Sequence, residues 1–599
     1  MTALYLLGLE REQIVAVSYD EATMARRLSR LPVGDDVRRL LHHALLWIWK
    51  EEQMHAIFIR GALMGPAPWW RRLGVLSQQL TGALGGWASA VLHHARWRDA
   101  PISRFWATVF TWLGALMGKV PRPVLKHLRL GSFGDYCRFS IGAERSASLT
   151  WQRIHDLAVA EGDAPQLAEG FARMAADEAR HTEVFELFAE ALDDDDRLRE
   201  GWDAERIAER LGSIGEFFLP RERRADALDN PLGSGGTVHV RCDEEGDDES
   251  DDDGGDGRDK RAALRQLLED ADLAGLVRER AGDKPLSECL VAIKPSWMLG
   301  YSRRDMTTVT DPELVQELCR YLRELGCGDV ALLEGRNHYD WYFEGRSVGE
   351  VASYFGLDFD EARIVDCTDD MTPHRYRRGM AHYGVPATWQ RADVRISFGK
   401  LRSHPVEQIY LSLCQLEGLS ARCDEFVFVD RQAHIGQAVN TMLADFPPHF
   451  ALLDAYEHAP DGLLGMLACP SPRRPRRLYA GRDALSVDTV AARHVGEIDL
   501  DVSGYLRNAV DWFGDPSASV EVVGCDEPIA DWRSPCANEL TATLSFLSYP
   551  VYIALSGRGT LFVPEMDPEA FPPRGRVSGS LGIARRFLRW LLNMKAPPA

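Results

Sequence analysis

Residues 45–59, LLWIWKEEQMHAIFI, and residues 172–185, ARMAADEARHTEVF, each hold a Glu-x-x-His string inside an apolar run of helical period. Residues three apart share a helix face, so Glu52 with His55, and Glu178 with His181, each aim a carboxylate and an imidazole at one point. No other Glu-x-x-His occurs in the chain. A four-helix di-metal site also needs one carboxylate from each of two further helices. Glu144 precedes Glu178 by 34 residues and Glu21 precedes Glu52 by 31, so both halves repeat an acid followed by Glu-x-x-His. Asp20 competes with Glu21 for the helix-one position.

Around these motifs, Met1 to about Phe218 is helical in pattern, and Val37–Leu63 is apolar on most sides, as a helix inside a bundle is. A chain of 599 residues exceeds one core, so at least two domains are expected. The formal charge of -21 argues against a nucleic-acid partner. Eleven cysteines without a Cys-x-x-Cys pair exclude the usual zinc-ribbon and ferredoxin ligand sets and suit a reducing cytoplasm. No basic-then-apolar leader is read at the N-terminus, and the apolar run Phe105–Met117 is shorter than the roughly 20 residues a bilayer needs.

From about 219 to 262 the composition turns to Asp, Glu and Gly, as in CDEEGDDESDDDGGDGRDKR, and is read as an acidic disordered linker between domains 1–218 and 263–599. Beyond it, short apolar runs such as Leu290–Ile293, Asp329–Leu333 and Phe426–Val429 alternate with helical stretches such as Pro312–Leu325. That alternation predicts an α/β domain with a mostly parallel sheet. Residues 581–595, LGIARRFLRWLLNMK, form a basic amphipathic helix suited to docking or to weak contact with a membrane surface.

The six positions Glu21, Glu52, His55, Glu144, Glu178 and His181 resemble, in order and spacing, the ferritin-like superfamily of di-iron carboxylate proteins, particularly its oxygen-activating members. The resemblance implies an all-α bundle holding two iron ions, or a manganese and iron pair, without haem or an iron–sulfur cluster. It implies O2 as reactant and an external reductase as electron donor. The second half resembles domain of unknown function family 362 from Leu290 to Gly496. The matching residues are Ile293-Lys-Pro295, Thr310-Asp-Pro312, Gly399-Lys-Leu-Arg-Ser-His404, Tyr479-Ala-Gly-Arg-Asp483, Ser486-Val-Asp488 and Ala491-Ala-Arg-His-Val-Gly496. The ferredoxin-like module that members of that family often carry is missing from this chain, and Cys414-Gln415 replaces the family's Lys-Asn.

Lys294, Lys400 and Arg402 offer cationic donors to a carboxylate or phosphate, His404 can exchange protons near neutral pH, and Asp483 and Asp488 can orient them. Lys400, His404 and Asp483 are expected to converge on one concave site. The expected function is a non-haem di-iron or Mn/Fe oxidase or oxygenase acting on a small anionic substrate held or processed by the α/β domain. Two alternatives stand beside it: an iron-storing or iron-sensing protein with a ligand-binding module, and an enzyme whose chemistry lies only in the α/β domain. Either a single chain or a homo-oligomer fits these motifs.

Overall fold

The structure, a computed structural model, describes residues 27–64, 132–162, 165–211, 230–243, 256–298, 301–336, 345–376, 382–404, 407–420, 437–461, 472–496, 503–533, 566–567 and 569–571. Glu21, Asp20, the acidic run 244–255 and the expected helix 581–595 lie outside them. The chain divides into two compact units. One comprises Met1–Arg223 with Gly379–His382 and Arg574–Arg576, the other Arg224–Arg378, Tyr383–Pro573 and Val577–Ala599.

The described part of the first unit is helical: α1 (Asp35–Met64), α2 (Phe133–Glu161), α3 (Pro165–Ala191) and α4 (Ala204–Leu211). Helix α2 starts where Ser132 and Asp135 form a reciprocal capping box, which satisfies two otherwise orphaned N–H groups. Asp196, in the loop after α3, accepts from the N–H groups of Phe133 and Gly134 at 2.8 Å each, so the return loop closes the same helix end. At its other end α2 stops at Gly162, whose φ of 70° a Cβ would disfavour. The core between the long helices is aromatic. Trp151 of α2 stacks on Phe171 of α3 with centroids 6.1 Å apart, and Phe58 of α1 meets Phe171 edge-on at 5.2 Å. Phe58 reaches that position because residue 170 is glycine: a Cβ there would stand 2.0 Å from Phe58 Cζ.

The second unit is an α/β fold on an eight-stranded sheet. Its strands are β1 (Gly236–Cys242), β2 (Leu290–Lys294), β3 (Asp329–Glu334), β4 (Arg363–Asp366), β7 (Val394–Lys400), β10 (Phe450–Ala455), β11 (Arg477–Gly481) and β12 (Val520–Gly524). Two small ribbons, β5 (Met371–Arg375) with β6 (His382–Pro386) and β8 (Arg402–His404) with β9 (Gln408–Tyr410), stand apart from it. The sheet order is β12-β1-β11-β10-β7-β2-β3-β4, and only β11 runs against its neighbours. Strands β7, β10 and β11 are buried along their whole length, as strands covered on both faces must be, which is why they read as apolar runs. Helices α5 (Asp256–Asp270), α6 (Pro312–Leu325), α7 (Ala484–His494) and α8 (Gly504–Phe513) belong to this unit. Among the described residues no helix is long and apolar enough to cross a membrane.

Two expectations change here. The stretch 219–262 is not linker throughout, since Gly236–Cys242 is a sheet strand and Asp256 onward is helix. The alternation in Thr237-Val-His-Val240, with Val238 and Val240 buried, outweighs the acidic average of the stretch. The cysteines are not all thiols either: Cys242 and Cys525 form a disulfide between the end of β1 and the residue after β12. The other described cysteines are free and buried.

Gly328, leading into β3, shows how tightly the unit is packed. Its N–H donates to Leu286 O at 3.0 Å, and a Cβ would lie 1.7 Å from the Ser287 carbonyl oxygen. Backbone cannot swing aside as a side-chain tip can. Gly328→Ala is therefore expected to destabilise this unit by about 1–3 kcal/mol. Urea unfolding followed by circular dichroism checks this, and an unchanged midpoint would contradict it.

Candidate functional site

Three helices converge on one buried cluster in the helical unit. Glu52 from α1, Glu144 from α2, and Glu178 and His181 from α3 each bring a ligand atom within 4.8 Å of all the others. All four are buried. The i, i+3 spacing read in the sequence accounts for two of these positions, and the antiparallel return from α2 to α3 through Gly162 brings Glu144 alongside. His181 Nδ1 lies 3.3 Å from Glu52 Oε1, 3.4 Å from Glu178 Oε2 and 3.9 Å from Glu144 Oε2. The fifth expected ligand, His55, borders the cluster with Nδ1 3.4 Å from Glu178 Oε1 and 3.9 Å from Glu52 Oε2. The sixth, Glu21, lies outside the described residues.

The far nitrogen of each imidazole is held by an acid that sequence reasoning did not single out. His55 Nε2 meets Asp177 Oδ2 at 3.2 Å, and His181 Nε2 meets Glu51 Oε2 at 2.7 Å. The pairing crosses between helices: the α1 histidine uses an α3 acid, and the α3 histidine an α1 acid. A carboxylate at Nε2 orients each ring so that Nδ1 faces the cluster. A signal was present in the sequence, because each Glu-x-x-His is preceded directly by an acid, Glu51 before Glu52 and Asp177 before Glu178. Arg180 donates to Asp177 Oδ1 at 2.6 Å and lies over the Trp47 ring, while Trp151 Nε1 donates to Glu178 Oε1 at 3.2 Å.

The electrostatics call for positive charge at the centre. Burial, reinforced by the charge of Glu178, pushes Glu144 up to about 8. Burial and the neighbouring Asp177 likewise push Glu51 up to about 7. Burial also acts to raise Asp177, but its hydrogen bond to His55 and the charges of His55 and Arg180 outweigh that and bring it down to about 2. For His181, burial opposes the cation, yet contacts with Glu144, Glu178, Glu51 and Glu52 raise its pKa well above the usual value. The buried carboxylates of Glu51, Glu52, Glu144, Asp177 and Glu178 outnumber the cationic groups beside them, and the cluster could hold a metal ion. Glu52 Oε1, Glu178 Oε2 and His181 Nδ1 are buried without a hydrogen-bond partner, a combination that a coordinated ion explains. Carboxylate oxygens with imidazole nitrogen are a donor set that can hold a metal ion.

In the α/β unit the expected pocket residues divide. Lys294 ends β2 and Lys400 ends β7, the neighbouring strands on either side of which the chain builds the sheet in opposite directions. Open α/β sheets bind ligands outside the carboxyl ends of the strands at such a switch. Both lysines are buried and already paired, Lys294 with Glu334 and Lys400 with Asp454, at 2.9 Å each. Arg402 and His404 follow on β8, where His404 Nδ1 accepts from the Glu407 N–H at 3.0 Å.

Asp483 does not join them. Strand β11 runs antiparallel, so Gly481 pairs with Ala451 at the start of β10, whereas Lys400 pairs with Asp454 near its end. That reversal puts Asp483 at the opposite edge of the sheet from Lys400, capping α7 by accepting from Leu485 N, Ser486 Oγ and Gly235 N. Asp488 is enclosed, with its oxygens taken by Ser412 N, Ser412 Oγ and Leu413 N. Both act as structural anchors, and the convergence of Lys400, His404 and Asp483 is not formed.

Residues 291–493 match the family described as "Domain of unknown function (DUF362)". No curated protein matches the chain. Among solved structures the chain is similar to the lactate racemase apoprotein from Thermoanaerobacterium thermosaccharolyticum, with 11% identity and a TM-score of 0.25. That likeness spans 46% of this chain and 59% of the other, and it carries no argument about function.

The crossed acid–histidine pairs lead to a direct expectation. Glu51→Gln and Asp177→Asn keep shape but weaken the hold on each imidazole, and should lower iron affinity about 10–100-fold. Competition with a chromophoric chelator measures this. Equal affinity in both variants and the native chain would show that these acids serve only the fold.

Proposed function

We propose that the helical unit binds two iron ions, or a manganese and iron pair, and that the protein is a non-haem, O2-dependent oxidoreductase acting on a small anionic substrate that the α/β unit holds or processes. One observation supports this above others: Glu52, Glu144, Glu178 and His181 from three helices meet at a buried point where three of their atoms lack a hydrogen-bond partner. When bound, such a metal pair supplies electrons to O2 in concert, drawn from an external reductase.

The chain's own residues prepare that site. Glu52, Glu144, Glu178 and His181 would hold the metal, with His55 proposed beside them through Nδ1. Glu51 and Asp177 hold the Nε2 protons and so orient both rings. Trp47, Ile48, Trp151 and Phe171 are buried in the same unit and exclude water from its interior. Glu21 of the first helix is proposed as a sixth ligand on its sequence position alone.

A storage or sensing role would use the same ligands, and chemistry confined to the α/β unit would not need them. Three measurements separate the readings: metal content per chain, substrate-dependent O2 consumption by the iron-loaded protein, and the effect of one ligand. Glu178→Ala is expected to lower metal content and abolish O2-dependent turnover while helical content stays, because packed apolar faces supply most of a helix's stability. Retained turnover would move the chemistry to the α/β unit, and iron uptake without turnover would favour storage. A chain lacking both Glu52 and Glu178 that still held two irons would sink the proposal.

A further inference from the structure

Among the cations at the carboxyl edge of the sheet, Lys294, Lys400 and Arg402 differ in their neighbours. Lys294 and Lys400 each face a buried carboxylate, which leaves neither with net charge to offer. Arg402 is 3% exposed and makes no ion pair among the described residues. Its Nη1 donates to Thr308 O at 3.2 Å, the guanidinium lies 4.3 Å over the Tyr410 ring, and its Nε is buried without a hydrogen-bond partner.

Thr308 belongs to the connection leaving β2, and Arg402 to the connection leaving β7. The guanidinium therefore spans the two exits of the switch point, where this class of sheet receives ligands. A buried arginine without an ion pair or full hydrogen bonding is costly, and native interiors retain one where something else completes it. Burial indeed pushes its pKa down, against the weaker pull of Tyr410 and Glu417.

We infer that Arg402 is the anion receptor of the α/β unit and that its ligand is a small monocarboxylate. A guanidinium outside any ion pair matches at most one negative charge, whereas a dianionic phosphate would bring a second beside Glu417 and Glu334. A planar carboxylate also fits the side of the guanidinium that carries the free Nε–H, through two parallel N–H···O bonds. The adjacent Tyr410 ring and the buried Leu411 and Leu413 give the organic part an apolar neighbour. This inference rests on the ligand-binding reading of the α/β unit and not on the metal chemistry of the helices, so it is tested by binding alone.

The full chain is titrated by calorimetry with acetate, pyruvate, benzoate and inorganic phosphate, with thermal melting in parallel. The expected result is that at least one monocarboxylate binds and raises the melting temperature while phosphate does neither. Arg402→Met should bind that carboxylate at least about tenfold more weakly, the loss of a charge-assisted pair, and without ligand should melt no lower than the native chain. If Arg402→Met does not fold, Arg402→Lys keeps the charge but not the planar fork and is expected to show the same tenfold weakening. Any of three outcomes would overturn the inference: no monocarboxylate binding, tighter binding of phosphate, or carboxylate binding unchanged in the folded variant. Metal-ligand variants such as Glu178→Ala should bind the carboxylate normally, so failure of the redox reading leaves this result readable.

Discussion

Carboxylates repel one another, and an apolar interior magnifies the repulsion, so acids that gather there hold protons or face something positive. That constraint governs the helical unit. Three helices deliver Glu52, Glu144 and Glu178 to one buried point, with His181 among them and Glu51 and Asp177 just behind. The aromatic packing of Trp151 on Phe171, the glycine that admits Phe58, and the loop that closes α2 through Asp196 all hold α1, α2 and α3 where these acids must meet. Trp151 also donates to Glu178 at 3.2 Å, while Glu52 Oε1 and Glu178 Oε2 stay buried without a hydrogen-bond partner.

The α/β unit solves the same problem differently. Lys294 with Glu334 and Lys400 with Asp454 are buried in opposite-charge pairs that neutralise themselves. A pair broken from one side would leave the other charge stranded, so these four residues behave as two units of packing more than as reagents. The lysines read as anion-binding donors in a sequence because a strand-end lysine advertises charge, whereas its partner lies on another strand 40 or 54 residues away.

What could be read in advance follows from the range of the interaction. Glu52 with His55 and Glu178 with His181 were legible because three residues on a helix make one face, a purely local fact. Glu51 and Asp177 were not singled out because their roles appear only when α1 and α3 face each other. Asp483 was grouped with Lys400 because both follow strands, and strand direction is a property of pairing that no short window carries. The α/β class was legible from apolar runs such as Leu290–Ile293, yet β1 was lost by averaging, its two buried valines submerged in an acidic stretch.

That lost strand redraws the boundaries of the second unit. The family match covers 291–493, yet β11 is flanked on one side by β1, which precedes those limits, and β1 in turn pairs with β12, which follows them. A piece excised at the family limits would bare one edge of β11 and offer its unpaired backbone to any passing strand. The smallest sheet with its described neighbours intact begins before Gly236 and ends after Gly524, with Cys242 and Cys525 joining β1 to the edge strand β12. The acidic run 244–255 therefore falls between β1 and α5 of one unit. It is an insertion within the α/β unit and not the tether that joins that unit to the helices.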